Sequence, residues 1–145
     1  METDRKDPLL LENQLCFPLY ACAREIVKRY KPHLDGIDLT YTQYVTMMVL
    51  WEEGETTSMA IGCRLHLDSG TLTPVLKKLD EKGLVTRRRS ETDERNLVVT
   101  ITEAGRALKA RAVQIPGRMG GCVALSPEES GALYALLYKL LGALN

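Results

Sequence analysis

Apolar positions recur at steps of three and four residues through most of the chain and change to a strand-like pattern only once. From Leu9 to Lys31 the stripe Leu11, Leu15, Leu19, Cys22, Ile26 and Tyr30 predicts one long amphipathic helix. Pro18 falls inside it and removes a backbone donor, which predicts a kink near Cys16. Pro32 ends that helix or follows its end. Thr40 and Gln43 have capping-box spacing, and Tyr44, Met47, Met48 and Trp51 supply the apolar face of the helix they start. A short helix is predicted over Ser58–Leu65 and a fourth over Ser69–Lys82, closed by Gly83 in the left-handed position. The pattern then changes. Leu84–Arg89 and Asn96–Thr102 are rich in β-formers and flank the polar stretch Ser90–Arg95, which predicts a hairpin with a long loop. Thr102 caps a helix through Glu103, Leu108 and Val113, weakened or broken around Pro116, Gly117, Gly120 and Gly121. Ser126-Pro127-Glu128-Glu129 opens the last helix, which carries Leu133, Leu136, Leu137, Leu140, Leu141 and Leu144.

This order predicts a mainly α fold with a β-hairpin wing: a winged helix-turn-helix over residues 40–102, its wing at 84–102, within a single domain spanning 1–145. The helices of 9–35 and 103–144 lie outside that module. Their apolar stripes exceed what one small module covers, so they are expected to form the interface of a homodimer.

Composition adds limits. The 145 residues suit one domain, and nineteen basic against nineteen acidic residues give zero net charge. No apolar run approaches the ~18 residues of a membrane span. The start METDRKDPLL has no apolar core of signal-peptide type, so a cytoplasmic protein without a membrane partner is expected. Zero net charge excludes a polycationic coat, but it is a sum. Residues 36–68 carry one base against five acids, a net of −4; residues 69–89 carry six bases against two acids, a net of +4. The positive block is the predicted recognition helix plus the first wing strand, which makes double-stranded DNA the expected partner. Lys77, Lys78 and Arg88 are candidate phosphate contacts, and Ser69, Thr71 and Thr73 let the helix start approach base edges. Arg95 is a candidate for minor-groove insertion, shaped by Asp93. A symmetric dimer would read a pseudo-palindrome. The plainer readings are a solvated basic face and an ordinary surface salt bridge.

The four cysteines, Cys16, Cys22, Cys63 and Cys122, include no CxxC pair, and His33 lies far from His66. No metal site or cofactor is expected, and common catalytic signatures are absent. Taken singly, each cysteine reads as a small buried hydrophobe, with Cys22 in core packing and Cys63 buried in the reading head.

The stretch from Leu67 to Leu79, the wing Asp93-Glu94-Arg95 and Thr102-Glu103-Ala104-Gly105 resemble the MarR family of dimeric winged-helix regulators. Leu11-Glu12-Asn13-Gln14-Leu15-Cys16-Phe17 resembles the organic-hydroperoxide-resistance branch, from which Pro18 departs. The resemblance implies a repressor that releases its operator when an organic hydroperoxide oxidises Cys16. It also implies that Tyr30 and Tyr41 hydroxyls hydrogen-bond the Cys16 thiolate. Cys122 lies in the region of the branch's second cysteine and is a possible resolving partner, a small thiol being the other. Geometry adds a condition. If Cys16 and Tyr30 share one helix, fourteen residues separate them by roughly 21 Å, so contact requires Tyr30 of the partner subunit. Cys16 is also expected too deep in its helix for the helix dipole to act on it. Two other readings remain: a MarR-type repressor relieved by a small aromatic ligand, and a thiol peroxidase, for which Cys16 lacks a companion Arg or His.

Overall fold

Most helix starts are set by side-chain caps in the computed structural model, which describes residues 7–93 and 96–145. A single 3-10 turn, Leu11–Asn13, precedes α1, which runs over Cys16–Asp35. The expected helix from Leu9 therefore begins seven residues later, at Cys16 itself. Pro18 is the third residue of α1, where its missing N–H would have had no intrahelical acceptor. It marks a helix start in place of the expected kink. Pro32 does not end α1 either: the helix continues to Asp35 with Pro32 in its last turn, where the ring costs only one backbone bond.

α2 spans Tyr41–Glu53 behind the expected capping box: Thr40 Oγ1 accepts from the Gln43 N–H and Gln43 Oε1 accepts from the Thr40 N–H. α3 is Ser58–Leu65 and α4 is Ser69–Glu81, each opened by a side-chain cap, Thr57 and Asp68. Gly83 takes φ +75° after α4, as its position predicts. The wing strands are β2, Val85–Arg89, and β3, Leu97–Ile101. A third strand, β1 at Glu55–Thr57, joins the two expected ones; its three polar residues carry no readable alternation in the sequence. The sheet order is β1-β3-β2, antiparallel throughout, with Glu55 opposite Thr100 and Val85 opposite Ile101.

α5 covers Glu103–Ala112, α6 Ile115–Gly120 and α7 Pro127–Leu144. The chain divides into two compact units, Met1–Ile115 and Pro116–Asn145. In the first, the core is Tyr44, Met47 and Leu50 of α2, Ile61 of α3, Leu72, Leu76 and Leu79 of α4, and Val85, Val99 and Ile101 of the sheet. Trp51 fastens α5 to this core by donating from Nε1 to the Gly105 carbonyl at 2.8 Å. In the second, α7 carries the expected Ser126 capping box, and none of its eighteen residues is buried.

Candidate functional site

The outer face of α4 is the first candidate surface. Leu72, Leu76 and Leu79 fix which side is buried. At 100° per residue, Gly70, Pro74, Lys77 and Lys78 then project opposite, with Thr71 and Thr73 flanking them. Ser69, Thr71, Thr73, Lys77 and Lys78 are all exposed. Asp68 accepts from the Thr71 N–H at 2.7 Å, and that hydrogen bond holds its carboxyl below the ordinary range. Thr73 Oγ1 donates to the Ser69 carbonyl at 2.7 Å, so its donor is occupied and it presents only acceptor lone pairs.

The basic block is extensively tethered. Arg87 pairs with Asp80 at 2.9 Å and Lys78 with Glu81 at 3.1 Å, both within the block. Arg88 reaches Glu55 of β1 at 3.3 Å, and Thr100 donates to the other oxygen of the same carboxylate at 2.6 Å. Lys82 donates to Gln43 Oε1 at 3.1 Å and to the Asp38 carbonyl oxygen. The −4 and +4 segments thus bridge one another through Lys82 and Arg88. Among the described residues, Lys77 and Arg89 of this block have no ion-pair partner. Asp93 is exposed at the wing tip, where its carbonyl accepts from Asn96 N–H at 3.0 Å. Arg95 and the Asp93–Arg95 pairing lie outside the described residues.

The second candidate is Cys16 with the tyrosines. All four cysteines are exposed in this chain, which overturns the expectation that each is a small core residue, Cys22 and Cys63 included. Cys16 is the first residue of α1, and its N-cap Leu15 provides no side-chain cap. Cys16 therefore lies at the positive end of the helix dipole, in the first turn whose N–H groups have no intrahelical acceptor. This corrects the expectation that Cys16 lies too deep in its helix to feel the dipole. The approach to it is fixed by the two amides of the motif: Asn13 Nδ2 donates to the Asp7 carbonyl at 2.8 Å, and Gln14 Nε2 to those of Pro8 and Leu10.

Tyr30 of α1 and Tyr41 of α2 do meet: their ring centroids are 4.9 Å apart. Tyr44 is a third member, 5.9 Å from Tyr30 and 6.3 Å from Tyr41, with Trp51 edge-on behind it at 6.5 Å. Burial, then the neighbouring Tyr30, pushes the Tyr41 hydroxyl above the ordinary value of 10.0, so it remains a proton donor at neutral pH. Cys16 and Tyr30 share the single helix α1, so within one protomer the thiol stays roughly 21 Å along the axis from that ring. The start of α2 links this cluster to α4. Tyr41 is its first residue, and buried Gln43 holds Lys82 at the end of α4. Reading the sequence alone missed Tyr44, because it was counted in the apolar face of α2. Its spacing of three from Tyr41 was the available signal. Cys122, exposed, follows α6, with Sγ 4.0 Å from the Arg118 carbonyl.

Among the described residues no group of side chains is arranged to hold a metal ion, and no helix is long and apolar enough to cross a membrane. The family described as Transcriptional regulator SarA/Rot matches residues 28–112. The organic hydroperoxide resistance transcriptional regulator of Bacillus subtilis (strain 168) is 49% identical over 139 residues, covering 96% of this chain and 95% of that protein. Reduced AbfR bound to DNA, a protein of Staphylococcus epidermidis, matches with a TM-score of 0.77 at 34% identity, covering 93% of this chain and 94% of that one. The disulfide-formed AbfR matches with a TM-score of 0.62 at 34% identity, covering 92% and 91%.

Proposed function

The chain belongs to the MarR family of winged-helix transcriptional regulators, in its organic-hydroperoxide-resistance branch, and from that premise we propose that it is a homodimeric repressor whose Cys16 senses organic hydroperoxides. The observation that carries this reading is the placement of Cys16 at the uncapped start of α1, one helix length from a paired Tyr30 and Tyr41 that it cannot reach in its own protomer.

In the proposed dimer, residues 9–35 and 103–144 form the interface. The unburied α7 and the exposed Phe17, Ile26 and Val27 of α1 support this. Tyr30 and Tyr41 of one protomer donate to the thiolate of Cys16 of the partner subunit. That thiolate attacks an organic hydroperoxide. A sulfur–oxygen bond forms, the O–O bond breaks, and the alkoxide takes a proton and leaves as the alcohol, so sulfur loses one electron pair and becomes sulfenic acid. A second thiol, the partner subunit's Cys122 or a small cellular thiol, then displaces water to give a disulfide. The disulfide-formed AbfR supports such an end state.

Loss of the thiolate removes what the tyrosines hold. Tyr41 moves the start of α2, and Gln43 passes the change to Lys82 and the end of α4. On DNA, Lys77, Lys78 and Arg88 contact phosphates and Ser69, Thr71 and Thr73 face base edges. Arg95 enters the minor groove with Asp93 shaping the loop. Two α4 helices of the dimer read a pseudo-palindromic operator. The reduced, DNA-bound AbfR supports this mode.

The test of sensor against peroxidase is stoichiometry. Reduced protein is given cumene hydroperoxide with a thiol reductant, and peroxide consumption and Cys16 sulfenic acid are followed. One equivalent consumed per Cys16 before the reductant acts, with negligible turnover, supports the sensor. Sustained catalytic consumption overturns it.

A further inference from the structure

The proposed mechanism uses two tyrosines and leaves the third unexplained. Tyr44 is 1% exposed, the largest fully buried side chain among the described residues. Its ring is enclosed by Tyr30, Tyr41 and Trp51. Its hydroxyl oxygen is closed to solvent and has no hydrogen-bond partner among the described residues. Buried hydroxyls are almost always satisfied, because leaving one unpaired forfeits its solvation without return. A phenylalanine would fill the same space without that penalty.

The unpaired atom sits where the proposed switch must move. Tyr30 and Tyr41 are half-buried and form the outer layer of the cluster; Tyr44 lies beneath them. Burial, followed by the neighbouring Tyr30 and Tyr41, raises the Tyr44 hydroxyl above the ordinary tyrosine value, so it stays a neutral donor. With the outer rings closed it has nothing to donate to. Displacing either ring opens a route to a hydroxyl, a carbonyl or solvent. The closed arrangement therefore carries a penalty that the open one relieves.

We infer that Tyr44 is a positioning residue that primes the sensor: its enclosed, unpaired hydroxyl destabilises the closed tyrosine cluster and gains a hydrogen bond when Tyr30 and Tyr41 move. This rests on the reading above, in which those two tyrosines respond to the oxidation of Cys16 of the partner subunit. The bias matters because a signal shifts a two-state element only by its differential interaction with the two states. In the reduced dimer the thiolate holds the cluster closed against the strain. Once the thiolate is lost, the strain works in the same direction as the signal.

Tyr44→Phe tests this, since it removes the hydroxyl and keeps the ring. The full-length dimer is used with an operator duplex selected from random sequences by the reduced wild-type protein. Melting temperature and DNA affinity are measured before and after one equivalent of cumene hydroperoxide. The expected result has three parts. Reduced Tyr44→Phe melts higher than wild type. Its reduced DNA affinity stays within about twofold. Its oxidised form binds DNA about tenfold more tightly than oxidised wild type, so the oxidation switch narrows, as relief of one buried unpaired group implies. A lower melting temperature would mean the hydroxyl is already bonded and overturns the inference. So does an oxidised-to-reduced affinity ratio equal to that of wild type. Cys16→Ser, run alongside, separates the two levels. If Cys16→Ser still releases DNA on peroxide, the sensor reading itself fails. If it does not, and Tyr44→Phe behaves as wild type, only the role of Tyr44 fails.

Discussion

Replacing Lys77 with alanine tests one proposed phosphate contact. Lys77 projects from the outer face of α4, opposite the buried Leu72, Leu76 and Leu79, and has no ion-pair partner among the described residues. Its charge is therefore available to DNA without first breaking a bond inside the protein. Each phosphate contact contributes about 0.9 to the slope of log affinity against log salt. The proposed homodimer would lose the contact twice, so Lys77→Ala should reduce the magnitude of the slope by roughly 1.8. Between about 50 and 200 mM salt, wild type should then lose roughly 12-fold more affinity than the variant does. The assay is a fluorescence-anisotropy titration of an operator duplex at four or more salt concentrations. Lys31→Ala serves as control, because Lys31 lies on α1 paired with Asp35 at 3.0 Å and should leave the slope unchanged. Arg88→Ala should behave differently. It strips Glu55 of the guanidinium 3.3 Å away and leaves a carboxylate facing the phosphates, so low-salt affinity should fall further than with Lys77→Ala. An unchanged slope in a Lys77→Ala protein with wild-type circular dichroism and melting temperature would refute the placement of this face on DNA.

Three other outcomes follow from the geometry. A Cβ on Gly105 would lie 2.3 Å from the Leu84 carbonyl oxygen, so Gly105→Ala should destabilise the fold by about 1–3 kcal/mol and shift the emission of the single tryptophan, Trp51, in urea titrations. A heterodimer of a Cys16→Ser protomer with a Tyr30→Phe, Tyr41→Phe protomer should keep one rapidly oxidised Cys16, because the intact cysteine and the intact tyrosines lie on different chains; oxidation no faster than in the all-Phe homodimer would place the site within one chain. Burial raises the Tyr41 and Tyr44 hydroxyls above 10.0, so their ionisation costs the folded state more than the unfolded one; stability is untouched by them below about pH 10 and falls as pH rises from there through their raised values, so melting temperature should fall over that range, and less so in Tyr44→Phe.

Local signals were legible in the sequence. Thr40 with Gln43, Ser126 with Glu129, Thr102 and Gly83 each announce a helix boundary through a hydrogen bond or a backbone conformation spanning a few residues, and each stands where it was placed. The start of α1 was not legible, because the four-residue apolar spacing continues back through Leu11 and outweighed the start signal in Pro18. That one boundary decides the environment of Cys16, and it moves the thiol from the interior of a helix to its uncapped end. Long-range pairings were equally hidden. Glu55 with Arg88 and Asp38 with Lys82 lie 33 and 44 residues apart, and counting charge by segment cannot reveal that opposite blocks neutralise each other. Tyr44 was hidden for another reason: its ring satisfies the apolar pattern, and only the enclosed oxygen distinguishes it from a phenylalanine.

The most direct test of the account is the affinity of wild-type and Cys16→Ser protein for one operator duplex, measured reduced and after one equivalent of cumene hydroperoxide, with mass analysis of every cysteine. Wild type should weaken by about 5- to 150-fold on oxidation, the usual range for coupling between two sites, with the modification on Cys16. Cys16→Ser should bind equally before and after. DNA release by Cys16→Ser on peroxide, or undiminished binding by wild type whose Cys16 is fully oxidised, would contradict the account.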